Sequence, residues 1–356
     1  MSVTAGLIGR PGSGAKTLYE LVTGRRPDDS YIKAGVKAQI ATVHVPDARL
    51  DALSLVFKPR KTTPAQFELM YLPGFSAKDD RKLVSAALSN YRNSQVLILV
   101  VNLYTDEGRS VAVRDARELI DELILIDLVL AEGLLPLLKK RAAGKEPGAS
   151  DRLSVVDRLH DLLQEGKPAL TADLSEHDST AASEYGFITL RPILVVGNIS
   201  DDMIGGESEV EREMKALAAI FQAGFLPVCT KIETEIAKIE NESEKAEFLA
   251  ELGIESPGVE RLIRRIFKLL GMRTFFTGGD KEVRAWTLKR AGTAVDAAAS
   301  VHSDLAKGFV RAEVYDSMEV IRAGGFTPLR NTDKMKLVGK EYEVQDGDYL
   351  LIRSSL

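Results

Sequence analysis

The residues whose types and spacing most suggest chemistry are Gly9, Arg10, Pro11, Gly12, Ser13, Gly14, Ala15, Lys16 and Thr17, directly after an apolar stretch at 3–8. Glycines let backbone N–H groups converge on phosphate oxygens, and a helix N-terminus behind them adds a favourable dipole. The full phosphate motif is G-x-x-x-x-G-K-[S/T], with its lysine on the β- and γ-phosphates and its hydroxyl on magnesium. The segment fits it in neither register. Pairing Gly9 with Gly14 puts Ala15 at the lysine position and Lys16 at the hydroxyl position. Taking Lys16-Thr17 as the final dipeptide leaves Arg10 and Ala15 where glycines belong.

A second constellation is Asn198-Ile199-Ser200-Asp201, at the end of the apolar run 192–197, with Cys229-Thr230 at the end of the next. An Asn-x-x-acid turn at such a strand end can hold a nucleotide base, with Cys229 and Thr230 as the opposite wall. Asn and Asp also simply end strands and begin turns. Guanine offers a carboxylate two N–H donors and adenine does not, so base preference is open. A third group is Arg284, Arg290 and Arg311, which alternate with apolar residues on expected strands and are read as a basic rim on one face. Trp286, between them, reads as core.

No catalytic residue or metal set emerges. His44, His160, His177 and His302 are far apart, none with a histidine three or four residues on, and Cys229 is the single cysteine. There is no Gly-x-Ser-x-Gly elbow.

The elements that must position these residues alternate between strand and helix. Strands are expected at 3–9, 39–45, 67–72 and 95–103, and helices at 14–23 and 79–91. The uninterrupted apolar run 95–103 suits a parallel sheet covered on both faces. Ala116, Leu119, Ile120, Leu123 and Ile124, then Leu153, Val156, Leu159, Leu162 and Leu163, recur at helical spacing on either side of a turn at 142–150. They predict a helical hairpin inserted in one α/β domain, since strands and helices resume at 192–270. From 273 the pattern becomes short strands and helices, a small α+β module. The expected division is 1–105 and 187–272 for the nucleotide-binding domain, 106–186 for the hairpin, and 273–356 for the module.

Several blocks add a resemblance: Thr17-Leu18, Pro46-Asp47-Ala48-Arg49-Leu50-Asp51, Lys58-Pro59, Pro227-Val228-Cys229 and Glu251-Leu252-Gly253. The strongest are Phe276-Thr277, Lys281 through Thr287, His302-Ser303-Asp304 and Lys307-Gly308-Phe309. On these the chain resembles the YchF/Obg-like ATPases, translation-factor-class P-loop proteins, over almost its full length, and 273–356 resembles their β-grasp TGS domain. The resemblance favours the Gly9/Gly14 register, in which Ala15 stands for the family's lysine and Lys16 for its magnesium serine. Its Asp-x-x-Gly element becomes Tyr71-Leu72-Pro73-Gly74, so Tyr71 replaces the magnesium aspartate, and Lys78-Asp79-Asp80 follow where a Gly-rich segment belongs. The family's base element is Asn-x-x-Glu, which prefers adenine. The resemblance implies ATP or GTP as ligand and the ribosome or RNA as partner. The replaced positions imply weak or absent hydrolysis and no bound magnesium; an active ATPase or GTPase of the same type is the alternative.

Composition agrees with a soluble globular protein. The chain has 356 residues, 45% of them hydrophobic and 28% charged, with a net charge of −5. That excludes a disordered chain and a polycation built to coat nucleic acid. The module 273–356 carries 13 Lys/Arg against 12 Asp/Glu, so any RNA footprint there is weak. One cysteine fits a reducing compartment, no apolar run is long enough to span a membrane, and the expected location is cytoplasmic.

Overall fold

The computed structural model describes residues 3–27, 38–72 and 89–355. Pro73, Gly74, Lys78-Asp79-Asp80 and most of the helix expected at 79–91 lie outside them. The chain divides into two compact units, 1–41 with 68–262, and 42–67 with 263–356.

The first unit is built on the expected parallel sheet. Its strands are β1 (Thr4–Gly9), β2 (Gln39–His44), β4 (Gln66–Tyr71), β5 (Val96–Leu103), β6 (Ile193–Ile199) and β7 (Gly224–Val228), in the order β2-β4-β1-β5-β6-β7. Every pairing from β4 to β7 is parallel, with Ile8 opposite Leu99 and Asn102 opposite Asn198. All seven residues of β6 are buried, as a two-sided sheet requires. Because the strands are parallel, their C-terminal ends share one edge, where ligands of open α/β sheets bind. Gly9, Tyr71, Asn198 and Cys229 all fall at or just past that edge.

Helix α1 (Ala15–Thr23) follows β1, with Leu18, Tyr19 and Val22 buried. Between β5 and β6 runs the helical hairpin, α3 (Asp106–Ala143) and α4 (Ala149–Gln164). At about 1.5 Å per residue, the 38 residues of α3 extend roughly 57 Å. Its first turn presses onto the end of β5, where a Cβ on Gly108 would lie 2.3 Å from Asn102 Cγ. Further along, Asp127 is fully buried and accepts hydrogen bonds from Ile188 N (2.8 Å), Thr189 N (2.7 Å) and Thr189 Oγ1 (2.7 Å). A helix α5 (Glu176–Glu184), which the sequence reading does not list, precedes β6. After β6 come α6 (Glu209–Ile220), α7 (Thr230–Ile236), α8 (Glu242–Glu251) and α9 (Gly258–Leu269).

The second unit is a mixed six-stranded sheet, order β11-β10-β12-β8-β9-β3. It comprises β8 (Met272–Gly278), β9 (Glu282–Lys289), β10 (Phe309–Asp316), β11 (Lys336–Val338), β12 (Asp348–Ser354) and an edge strand β3 (Lys61–Thr63). Helices α10 (Ala294–Val301), α11 (Ser303–Lys307) and α12 (Ser317–Arg322) complete it. Residues 48–63, expected in the nucleotide-binding domain, belong here instead. Strand β3 pairs in parallel with β9, Thr63 opposite Arg284. Helix α2 (Ala48–Phe57) adds Phe57, stacked on Tyr349 with ring centroids 5.6 Å apart. Arg49 on the same helix bonds Asp47 and Asp346, with its guanidinium 5.3 Å from the Phe276 ring centroid.

Candidate functional site

The turn after β1 is closed by Ser13 N–H donating to Arg10 O at 3.0 Å, and Ala15 opens α1. Gly12 (φ 81°) and Gly14 (φ 89°) are both left-handed. Ser13 is buried, and its Oγ accepts from Ala15 N at 3.3 Å. First-turn amides have no intrahelical acceptor, and the helix dipole favours negative charge at the start of α1. Ala15 is buried and supplies only a methyl group at the position where the motif has lysine. Lys16 is half-buried one residue on, and Thr17 is exposed.

Two groups, one just past β5 and one within α3, hold this loop, and nothing in the local sequence marks either. Tyr104 Oη donates to Gly12 O at 2.9 Å. Glu118 on α3 binds the Arg10 guanidinium at 2.6 Å, so the charge of Arg10 is committed to the hairpin helix. Loop and α3 together line a cleft of about 260 Å³ that also includes Asn102, Thr105 and Asp115. Residues 92 and 108 positions apart leave no local signal for such pairs.

Asn198 is brought to the loop rather than to open solvent. It is 2% exposed; its Nδ2 donates to Ser13 O (3.1 Å), while its Oδ1 accepts from Thr230 N (3.2 Å) and Thr230 Oγ1 (2.9 Å). It therefore braces the phosphate loop against the end of β7. Asp201 is exposed and paired with Lys231 at 2.6 Å, and that hydrogen bond holds its carboxyl below the usual range. Ser200 accepts from Arg109 of α3 at 2.6 Å, which anchors the turn. Cys229 is buried, and burial pushes its thiol up. Beside this corner lies a cavity of about 410 Å³ bordered by Ile199, Met203, Cys229, Ile232 and Arg261.

On the other flank of β1, Tyr71 at the end of β4 is 6% exposed and packs on Tyr19, ring centroids 5.3 Å apart. Among the described residues no group of three or more His, Cys, Asp or Glu could hold a metal. Among the described residues, the end of β4 offers the Tyr71 phenol rather than a carboxylate.

The register divides the three arginines assigned to one basic face. Trp286 lies opposite Phe275, so Arg284, two residues before it, shares that face. Tyr315 lies opposite Tyr349, and Tyr349 beside Phe276, so Arg311 is on the other face. Arg284 instead stacks on Trp286, its guanidinium 3.8 Å from the ring centroid. Trp286 is partly exposed and donates to Thr277 Oγ1 at 2.8 Å. Arg290 is exposed just past β9. The three thus do not line one rim.

The family model YchF-GTPase_C, described as "Protein of unknown function (DUF933)", matches residues 272–355. The curated protein "Ribosome-binding ATPase YchF" of Bacillus subtilis is 34% identical over 364 residues, 99% of each chain. Its namesake in Haemophilus influenzae is 34% identical over 362 residues, and that of Escherichia coli O157:H7 31% over 368. The solved YchF GTPase of Schizosaccharomyces pombe superposes with a TM-score of 0.85 at 22% identity, covering 99% of this chain and 98% of that one, and shares its fold. Among the described residues no helix is long and apolar enough to cross a membrane.

Proposed function

The chain belongs to the YchF family, and on that footing we propose that it binds ATP or GTP, associates with the ribosome, and hydrolyses nucleotide weakly or not at all. Ribosome association is supported by relatives that bear it in their name and match 98–99% of this chain. Nucleotide binding is supported by the glycine loop, the start of α1 and the Asn198 brace, which together keep an anion site at the sheet edge.

The observation that carries weak turnover is the pair Ala15 and Tyr71, both buried. Phosphoryl transfer depends on a lysine and a metal neutralising the charge that develops on the phosphoryl oxygens. A methyl group and a stacked phenol supply neither, and Arg10 is held by Glu118. Without those charges the loop still offers backbone N–H donors, which suffice for binding.

Calorimetric titration with ATP, GTP and their diphosphates, with and without magnesium, tests the proposal. Affinities that agree within threefold in both conditions are expected; a tenfold gain on adding magnesium contradicts it. In the same titration, Asp201→Ala should weaken guanine nucleotides about tenfold more than adenine ones. Only guanine offers the ionised carboxylate two donors, each charge-assisted bond being worth roughly 1.5–3 kcal/mol. Equal losses for both bases would make Asp201 a turn residue only.

A further inference from the structure

The turn between α3 and α4 carries a cluster of exposed basic residues. Residues 139–152 hold Lys139, Lys140, Arg141, Lys145 and Arg152 against Glu146 and Asp151, a net +3 in a chain of net −5. Glu146 is engaged by Arg141 at 3.7 Å, and Arg152 by Glu184 at 3.3 Å. Lys139, Lys140 and Lys145 are exposed, and among the described residues none has a carboxylate within 4.0 Å. Basic residues in a last turn also complement the helix dipole, which accounts for Lys140 and Arg141 but not for Lys145 beyond the helix end.

Lys145 is the second observation. The end of α3 is a Schellman turn: Glu146 N–H donates to Arg141 O at 3.1 Å and Lys145 N–H to Ala142 O at 3.0 Å. The residue after the cap of such a turn adopts the left-handed conformation, and glycine is usual there. Here it is Lys145, at φ 54°. A lysine is held in a conformation its Cβ disfavours, at the outermost turn of a long hairpin. Lys58 at the end of α2 is held likewise at φ 44°, so the conformation makes Lys145 a rigidly placed charge and does not assign it a role by itself.

We propose that this hairpin tip contacts the phosphate backbone of ribosomal RNA through Lys139, Lys140 and Lys145; the inference rests on the ribosome reading above. RNA is favoured over a protein partner because residues 139–148 contain no aromatic or large aliphatic anchor of the kind protein interfaces use. Flexible ammonium groups without carboxylate partners suit a backbone that presents a negative charge at every residue.

The test is ribosome co-sedimentation across a salt series, with the full chain, the triple variant Lys139→Gln/Lys140→Gln/Lys145→Gln, and Lys145→Gly alone. Each phosphate contact adds roughly 0.7–0.9 to the slope of log affinity against log salt. The triple variant should therefore bind more weakly, with a slope shallower by about 2 to 3. Lys145→Gly should bind more weakly yet melt higher, by about 2 °C, since relief of backbone strain stabilises the fold. Unchanged slope and affinity in the triple variant, or a lower melting temperature for Lys145→Gly, overturns the inference alone. Weaker binding with an unchanged slope indicates a protein contact and overturns it as well. No co-sedimentation of the unaltered chain at low salt removes the ribosome reading and this inference with it.

Discussion

Arginine in place of Gly14 should abolish nucleotide binding, with affinity falling at least about a hundredfold. Two costs coincide at this position. Gly14 sits at φ 89°, where a side chain is strained, and a Cβ there would lie 2.2 Å from Asn198 Nδ2. The Asn198 amide would have to leave, breaking its bonds to Ser13 O and to Thr230 together. The phosphate loop and the base corner thus lose their common brace in one substitution. Gly12→Ala is the control, because Gly12 has similar strain (φ 81°) but nothing within 4 Å of its Cβ position. Calorimetry on both variants checks this. A Gly14→Arg loss no greater than that of Gly12→Ala would show that Asn198 does not organise the site.

Asp127→Ala should destabilise the first unit by about 3–5 kcal/mol, a cost typical of breaking a buried charged network by removing one member. The carboxylate is fully buried and satisfies three donors on Ile188 and Thr189. Thr189 Oγ1 in turn accepts from Ala169 N at 3.0 Å. Alanine leaves the donors unpaired in the core where α3 meets the segment leading into β6. Burial raises the carboxyl pKa although those hydrogen bonds and the nearby Arg92 pull it down. Urea unfolding of the variant should show the loss. A change below 1 kcal/mol would mean that water enters and takes over the donors.

What the sequence made legible was local. The loop between β1 and α1 is contiguous, and α3 and α4 announce themselves through repeated apolar spacing. The destination of 48–63 was not legible. β3 is three residues long and its partner β9 lies more than two hundred residues on. The apolar residues of α2 (Leu50, Leu53, Leu55, Val56 and Phe57) spread around the helix, so no stripe points to a partner. Side-chain alternation along β9 and β10 is readable, but the register that puts Arg284 and Arg311 on opposite faces exists only once the strands pair. The acid-and-asparagine pattern at 198–201 falls at the C-terminal edge of the parallel sheet. Only the folded chain separates the buried brace, Asn198, from the exposed acceptor, Asp201.

Steady-state phosphate release in the presence of magnesium shows whether this nucleotide site lacks the charges for turnover. ATP and GTP should each be presented to the unaltered chain and to Gly14→Arg, with and without ribosomes. Release from the unaltered chain should be indistinguishable from that of the blocked variant, because Ala15 and Tyr71 supply no charge to the transition state. Robust magnesium-dependent release that disappears in Gly14→Arg would contradict it.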